Sequence, residues 1–198
     1  MKSLSLFCIL FWVLTGFKPS HDSLVQRLIV LPSSTLYIDG TTNVSKFECK
    51  IEKYIGTDTL MMTIVDGKKA VFQQGILRLA AASFDCGPKL ITRDFQKTLK
   101  TDQFPHIVIE FVSFERPPDM DAARDSFIGI MKITLANATV TCEIRCNTIR
   151  DDKKQLHLLG GRNFNFSDFG LKPPVKMAGA VKVRDQLAVN FHLILQQL

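Results

Sequence analysis

Residues 99–111, L-K-T-D-Q-F-P-H-I-V-I-E-F, join a helix end, a proline stop and an alternating strand without a spare residue between them. Pro105 cannot continue a helix, and it pushes the residue before it into an extended conformation. The residues that follow alternate in polarity, which places Ile107, Ile109 and Phe111 on one face of a strand. The stretch therefore predicts a strand that enters the wall of a sheet directly after a helix.

The segment before this strand has the pattern of a short helix over residues 92–101. Thr92 can act as its N-cap, and an acid in the first turn and lysines in the last match the helix dipole. Phe95 and Leu99 are four residues apart and share one face. We expect the helix to lie across an opening of the sheet with this apolar face inward.

Strand patterns dominate the rest of the chain. They are predicted at residues 44–53, 59–65, 74–84, 126–135, 139–149, 155–166, 175–183 and 187–195. Asp66-Gly67 predicts a hairpin turn, and Asn137 and Asp185-Gln186 predict two more tight turns. Eight to ten antiparallel strands with one short helix predict an all-β barrel or sandwich.

Residues 1–20 have the pattern of an export signal. Lys2 gives a positive start, and Leu4 to Leu14 form an apolar run shorter than the roughly 20 residues that span a bilayer. An uncleaved anchor is the alternative interpretation. We predict a signal peptide over residues 1–20 and one domain over residues 21–198, in a protein that is periplasmic or secreted.

Four cysteines remain after this signal, and an even number in an exported chain suits disulfide bonds. Three pairings are possible. Cys142 and Cys146 are four residues apart in a predicted strand, which separates them by roughly 13 Å and prevents a bond between them if the strand is regular. Cys49–Cys86 is therefore the preferred disulfide, and the other two cysteines are buried thiols or paired elsewhere.

Charge and motifs argue against two classes of function. The net charge of +6 is scattered, with no basic block interleaved with aromatic residues, so we expect no nucleic-acid binding. The four histidines stand singly, and no G-x-S-x-G or H-E-x-x-H motif is present. The cysteines lack a C-x-x-C pair. We expect no catalytic residues, no metal site and no enzymatic activity.

Phenylalanine dominates the aromatic residues. Fifteen Phe stand beside two Tyr and one Trp, and many fall on the apolar faces of predicted strands. Each aromatic ring buries about 150–250 Å². These rings could fill a packed core, or they could line an apolar cavity of the kind that an eight-stranded barrel can hold.

Four stretches in order resemble one known family. Asp39 stands eight residues before Phe47 in D-G-T-T-N-V-S-K-F, and F-D-C-G follows at residues 84–87. Residues 99–111 carry the helix end, the aromatic-proline pair and the alternating strand, and residues 168–174 carry D-F-G and P-P. Together they resemble the YceI-like family, exported lipocalin-like barrels that bind polyisoprenoid lipids.

This resemblance implies a lipocalin-like antiparallel β-barrel of about eight strands. It implies non-catalytic binding or carriage of a long-chain lipid, a polyisoprenoid or an isoprenoid quinone, with no other cofactor. It allows a homodimer and transient contact with a membrane, and it supports the Cys49–Cys86 pairing. Thr42-Asn43 and Ser167 depart from the family pattern where a lipid headgroup could be met.

Twelve apolar residues are the predicted lining of a lipid site. They are Phe47, Leu79, Phe95, Leu99, Ile107, Ile109, Phe111, Met131, Ile133, Phe164, Phe166 and Phe191. The alternative function is a filled barrel that acts as a stress-related or protein-interaction module without a ligand. A cavity of several hundred Å³ that opens beside Phe95 and Leu99 would distinguish the carrier from the filled barrel.

Overall fold

The computed structural model describes residues 25–198, so the predicted signal peptide and the start of the predicted domain lie outside the described residues. The described part contains one α-helix, α1 (Lys89–Thr98), and twelve strands. The strands are β1 (Val25–Val30), β2 (Thr35–Thr42), β3 (Lys46–Ile51), β4 (Thr59–Val65), β5 (Lys69–Gln74), β6 (Ile76–Ala80), β7 (His106–Phe114), β8 (Arg124–Leu135), β9 (Ala138–Arg150), β10 (Leu156–Asn165), β11 (Val175–Lys176) and β12 (Val181–Gln197). Among the described residues, α1 and the short helical turns are too short or too polar to cross a bilayer.

Eight of the strands form a closed antiparallel ring. Their order is β1-β4-β5-β7-β8-β9-β10-β12, and pairing of β12 with β1 closes it. Side chains alternate along the strands, so that on β9 Cys142, Ile144 and Cys146 point inward while their neighbours are exposed. The predicted all-β barrel of about eight strands with one short helix is confirmed.

A second, partial wall lies at one end of this ring, which we call the helix end because α1 crosses it. There β12 leaves β1 and pairs instead with β2, which pairs with β3. In the same way β7 pairs with β6 at its start and with β5 at its end. The strand β12 therefore belongs to both walls and fixes one relative to the other.

The gap between β3 and the segment after β6 is closed by backbone and covalent bonds. Lys50 and Asp85 exchange two backbone hydrogen bonds, of 2.8 and 2.9 Å. The neighbouring residues Cys49 and Cys86 form a disulfide. The preferred pairing is confirmed, and the disulfide completes the wall where the sheet itself is nearly interrupted.

The other two cysteines are buried thiols on β9. Cys146 is fully buried, and this burial raises the pKa of its thiol to about 12. Burial also raises the pKa of the Cys142 thiol. Both thiols are therefore protonated at neutral pH and pack as apolar side chains.

The helix begins three residues earlier than predicted. Its N-cap is Pro88, and α1 ends at Thr98 instead of residue 101. The predicted capping role of Thr92 is wrong, because Thr92 is the fourth residue of α1. Its hydroxyl accepts the backbone N–H of Cys86 at 3.0 Å instead. Thr92 thus ties α1 to the disulfide segment.

Two predicted strand boundaries are wrong. The predicted strand over residues 74–84 breaks at Gly75, where a side chain would overlap the Phe111 backbone, and the Phe111 N–H donates to the Gly75 carbonyl at 2.7 Å. The predicted turn at Asp185-Gln186 does not form, because β12 continues through it with a shift of register between Val183 and Leu187.

A histidine pair lies on the strands β10 and β12. His157 Nδ1 and His192 Nε2 are 2.7 Å apart, and His157 Nε2 lies 3.4 Å from Asp151 Oδ2. A carboxylate only accepts hydrogen bonds, so a proton on His157 Nε2 faces Asp151, and in that tautomer His157 Nδ1 accepts from His192. Burial, and next the charge of His157, lower the pKa of His192.

Removal of the disulfide should destabilise the barrel strongly. The two cysteines are 37 residues apart, and a loop of this length predicts a loss of about 4 kcal/mol in the free energy of unfolding. We expect the double variant Cys49→Ser with Cys86→Ser to show this loss in urea unfolding. Reductant should lower the unfolding midpoint of the wild type and leave that of the double variant unchanged; an equal effect on both would contradict the prediction.

Acid should destabilise the protein through the histidine pair. The ordinary pKa of histidine is 6.5 and the folded pKa of His192 lies below it, so the unfolded state binds more protons in the window between the two values. The unfolding midpoint should fall as the pH drops from about 7.5 through 6.5, until the folded pKa is passed. The variant His192→Asn should flatten this slope, and a slope as steep as that of the wild type would argue against the role of the pair.

Candidate functional site

An apolar cavity of about 70 Å³ lies between α1 and the inner face of the barrel. Seven elements contribute to its wall: β2, α1, β7, β8, β9, β10 with the turn Phe166–Phe169, and β12. The lining residues are Leu36, Ile38, Phe95, Leu99, Ile107, Ile109, Met131, Ile133, Leu135, Ile144, Phe164, Asn165, Phe166, Phe169, Leu187, Val189 and Phe191.

The chemistry of this wall is almost wholly apolar. Asn165 is the one lining residue with a polar side chain, and Asp168 engages it: Asn165 Nδ2 donates to Oδ1 at 3.5 Å and its backbone N–H donates to Oδ2 at 2.7 Å. The cavity therefore offers no charge and no free hydrogen-bonding group. It can hold an apolar group by burial alone.

The helix α1 closes the cavity at the helix end. Phe95 and Leu99 are 4% and 2% exposed, and the Phe95 ring packs edge-on against Phe84 at 5.5 Å between centroids. Polar bonds hold the other sides of the helix, with Gln96 Nε2 donating to the Ala82 carbonyl at 3.1 Å. The predicted position of α1 across an opening of the barrel agrees with this arrangement.

The cavity is smaller than the predicted carrier requires. At about 70 Å³ it is below the roughly 150 Å³ that admits a benzene molecule, and the expected several hundred Å³ is not present. A second void of about 20 Å³ shares Leu36, Ile109 and Phe191 with the first. These three side chains divide the interior into two compartments along the barrel.

The predicted lining residues fall into three groups. Nine of the twelve line the larger cavity: Phe95, Leu99, Ile107, Ile109, Met131, Ile133, Phe164, Phe166 and Phe191. Leu79 and Phe111 line the smaller void instead. Phe47 lines neither of these, because it is half-buried near the β2–β3 turn with its ring over Gly40.

Eight further residues of the wall were not predicted: Leu36, Ile38, Leu135, Ile144, Asn165, Phe169, Leu187 and Val189. For some of them, alternation of apolar and polar residues along the strand indicates an inward side chain. Leu36 and Ile38 alternate with polar residues along β2, and Leu187, Val189 and Phe191 alternate along β12. Phe169 carried no such signal, because the pattern does not show that residues 166–169 leave the strand as a short helical turn.

The residues that depart from the family pattern bind within the protein. Thr42 Oγ1 accepts the N–H of Ser45 at 2.8 Å. Asn43 Nδ2 donates to the Ala180 carbonyl at 2.9 Å, and its Oδ1 accepts the Lys182 N–H at 2.8 Å. Ser167 donates from both its backbone and its hydroxyl to Asp185. These contacts join loops at the helix end and do not line the cavity.

Solved structures share the fold of this chain at low sequence identity. No family model and no curated protein sequence matches the chain. The structure of BcnA from Burkholderia cenocepacia is similar with a TM-score of 0.59 at 14% identity, over 81% of this chain and 95% of BcnA. A polyisoprenoid-binding domain from Saccharophagus degradans, implicated in plant cell wall breakdown, is similar with a TM-score of 0.60 at 11% identity, over 86% of this chain and 97% of that domain.

A third solved structure is a mutant CJ YCEI protein made for nanotechnology applications. It is similar with a TM-score of 0.50 at 9% identity, over 70% of this chain and 80% of that protein. Similarity at these identities is a similarity of fold. The chain therefore has the fold of YceI-like proteins, in agreement with the four sequence stretches that resemble that family.

Proposed function

We propose that this protein binds the apolar tail of a long-chain isoprenoid lipid inside its barrel, without catalysis. The observation that carries the proposal is the cavity beneath α1, whose lining side chains are apolar except for Asn165. The Saccharophagus domain of the same fold, described as polyisoprenoid-binding, supports it. A polyisoprenoid or an isoprenoid quinone fits this chemistry because its tail needs no polar partner.

The energetics permit such binding. Burial of about ten methylene groups contributes roughly 8 kcal/mol before ordering costs, which corresponds to an affinity near the micromolar range. The wall has no group that could recognise a charged or polar headgroup. The headgroup therefore stays outside, at the helix end.

Entry of a tail requires the closed interior to widen. Phe191 lies between the two voids and packs edge-on against Phe111 at 6.4 Å between centroids. Rotation of Phe191 would join the voids into one channel that runs from Phe95 to Phe111. Outward movement of α1 would give access to it, and the tail itself would replace the contacts that these side chains lose.

The disulfide also supports export. Disulfides form and persist in oxidising compartments such as the periplasm and the extracellular space. A protein there that buries an isoprenoid tail could carry it through water, away from a membrane.

A filled barrel is the second candidate function. The volume of about 70 Å³ favours it, because a barrel this full needs no ligand to complete its core. Such a protein would act through its surface as an interaction module. The two candidates differ in whether the interior takes up a lipid.

Native mass spectrometry of the delipidated protein with solanesol and with a long-chain ubiquinone distinguishes the two. We expect uptake of at least one of these lipids at one molecule per chain. No uptake of either would overturn the carrier and favour the filled barrel.

A matched pair of variants on β8 locates the binding. Ile133 lines the cavity, whereas Ile130 is three residues away on the same strand and points from the opposite face. Ile133→Phe should fill the cavity and weaken uptake about tenfold or more, equivalent to about 1.4 kcal/mol. Ile130→Phe should bind as the wild type does. Equal binding by the two variants would place the lipid elsewhere.

A further inference from the structure

Large apolar side chains are exposed at the helix end. Ten large hydrophobic residues in the described part of the chain are clearly exposed, and five of them lie at this end, on α1, on β11 or in the loops beside them. We call these five the rim patch: Val44, Leu90, Ile91, Val175 and Met177, whose exposures are 69%, 67%, 37%, 57% and 76%.

Specific bonds hold the members of the rim patch together. Lys176, which lies between Val175 and Met177, bonds through Nζ to Asp94 Oδ1 on α1 at 2.6 Å. Leu90 and Ile91 precede Asp94 by four and three residues, so they share its side of the helix. The rim patch therefore combines α1 with the segment before β12.

The fifth member reaches the same segment from the β2–β3 turn. Val44 follows Asn43, whose side chain bonds to the backbone of Ala180 and Lys182. These bonds place the turn that carries Val44 beside the start of β12. The three pieces of chain are thus tied together at the helix end, where α1 closes the cavity.

The turn that presents Met177 is held in an unfavourable conformation. Met177 and Ala178 have φ angles of 51° and 52°, in the left-handed region that residues other than glycine seldom adopt. This backbone places the most exposed side chain of the rim patch in solvent. Pro173 and Pro174 precede the turn and restrict its movement.

The charge around the rim patch is strongly positive. The loops, the helix and the start of β12 at this end, residues 42–46, 81–105, 136–137 and 166–185, contain nine Lys or Arg and five Asp or Glu. The loops at the far end, residues 66–69, 115–125 and 150–154, contain seven of each. Of the two ends, the one that exposes apolar side chains therefore carries the excess of positive charge.

We propose that the rim patch docks this protein on the surface of an anionic lipid bilayer. Separate apolar side chains that project from a basic surface can insert between headgroups while lysines and arginines meet lipid phosphates. Docking would bring α1, which covers the cavity, to the membrane, but it does not require that the cavity bind a lipid.

Flotation with vesicles tests this proposal. The full-length protein should bind vesicles of phosphatidylcholine with phosphatidylglycerol and should bind those of phosphatidylcholine alone far more weakly. Salt should reverse the binding, because screened charges attract less. Arg93→Glu with Lys172→Glu should have the same effect as salt, since both residues are exposed at the helix end.

Apolar variants separate insertion from charge. Leu90→Ser with Met177→Ser should weaken vesicle binding about tenfold. The control is Leu198→Ser, because Leu198 is 71% exposed and follows the far end of β12. All variants should unfold at the wild-type midpoint, since none of these side chains is buried.

Three results would overturn the proposal. One is equal binding to both kinds of vesicle. Another is an equal loss of vesicle binding in Leu198→Ser and in Leu90→Ser with Met177→Ser. The third is absence of vesicle binding together with self-association that depends on Met177, which would make the rim patch a protein interface. Lipid uptake from detergent is measured on the same variants. A variant that takes up lipid but does not bind vesicles has lost docking alone, whereas loss of uptake shows that lipid binding in the cavity has failed.

Discussion

The barrel depends on the backbone hydrogen bonds of β12. This strand pairs with β10 along one edge, and along its other edge it pairs with β2 near its start and with β1 near its end. The short strand β11 pairs with its first residues, so one strand with four partners closes the ring and starts the second wall. A sheet closed in this way leaves no long free edge within the ring. The shift of register at Val183 to Leu187 lies at the transition to the regular pairing with β2, and such an irregularity lets the strand bend there.

The second wall explains why the helix end differs from the far end. Its last gap is closed by the Lys50–Asp85 backbone bonds and the Cys49–Cys86 disulfide, and α1 follows directly after Cys86. The disulfide thus fixes the base of the helix that covers the cavity. The C-terminal part of α1 is held more by the packing of Leu99 than by covalent bonds.

Local physics made several features predictable. Pro105 fixes the start of β7, and alternation identifies its inner face, so Ile107, Ile109 and Phe111 were correctly placed inside the barrel. The start of α1 was not predictable in the same way. The Thr92 hydroxyl could cap a helix that begins after it, or it could accept a hydrogen bond from a distant residue. It accepts the N–H of Cys86, because the folded chain brings Cys86 beside it.

The interior volume was beyond the reach of the sequence pattern. Alternation shows which face a side chain occupies, but the space that remains depends on how rings from several strands pack together. Gly160 illustrates this: a side chain there would overlap the Phe191 ring, so the absence of a Cβ on β10 decides where a ring on β12 can lie. The turn Phe166–Phe169 is similar, because Asn165 and Asp168 cap each other and turn two phenylalanines inward.

The two thiols on β9 have a consequence for how the barrel moves. Thiolates react and thiols scarcely do, and burial keeps both Cys142 and Cys146 protonated. Ile144 lies between them on the same face and lines the cavity. Any fluctuation that admits water to this part of the wall would lower both pKa values toward their ordinary range and raise the fraction of reactive thiolate. The rate at which Cys142 and Cys146 are alkylated would therefore measure how often this part of the wall opens to solvent.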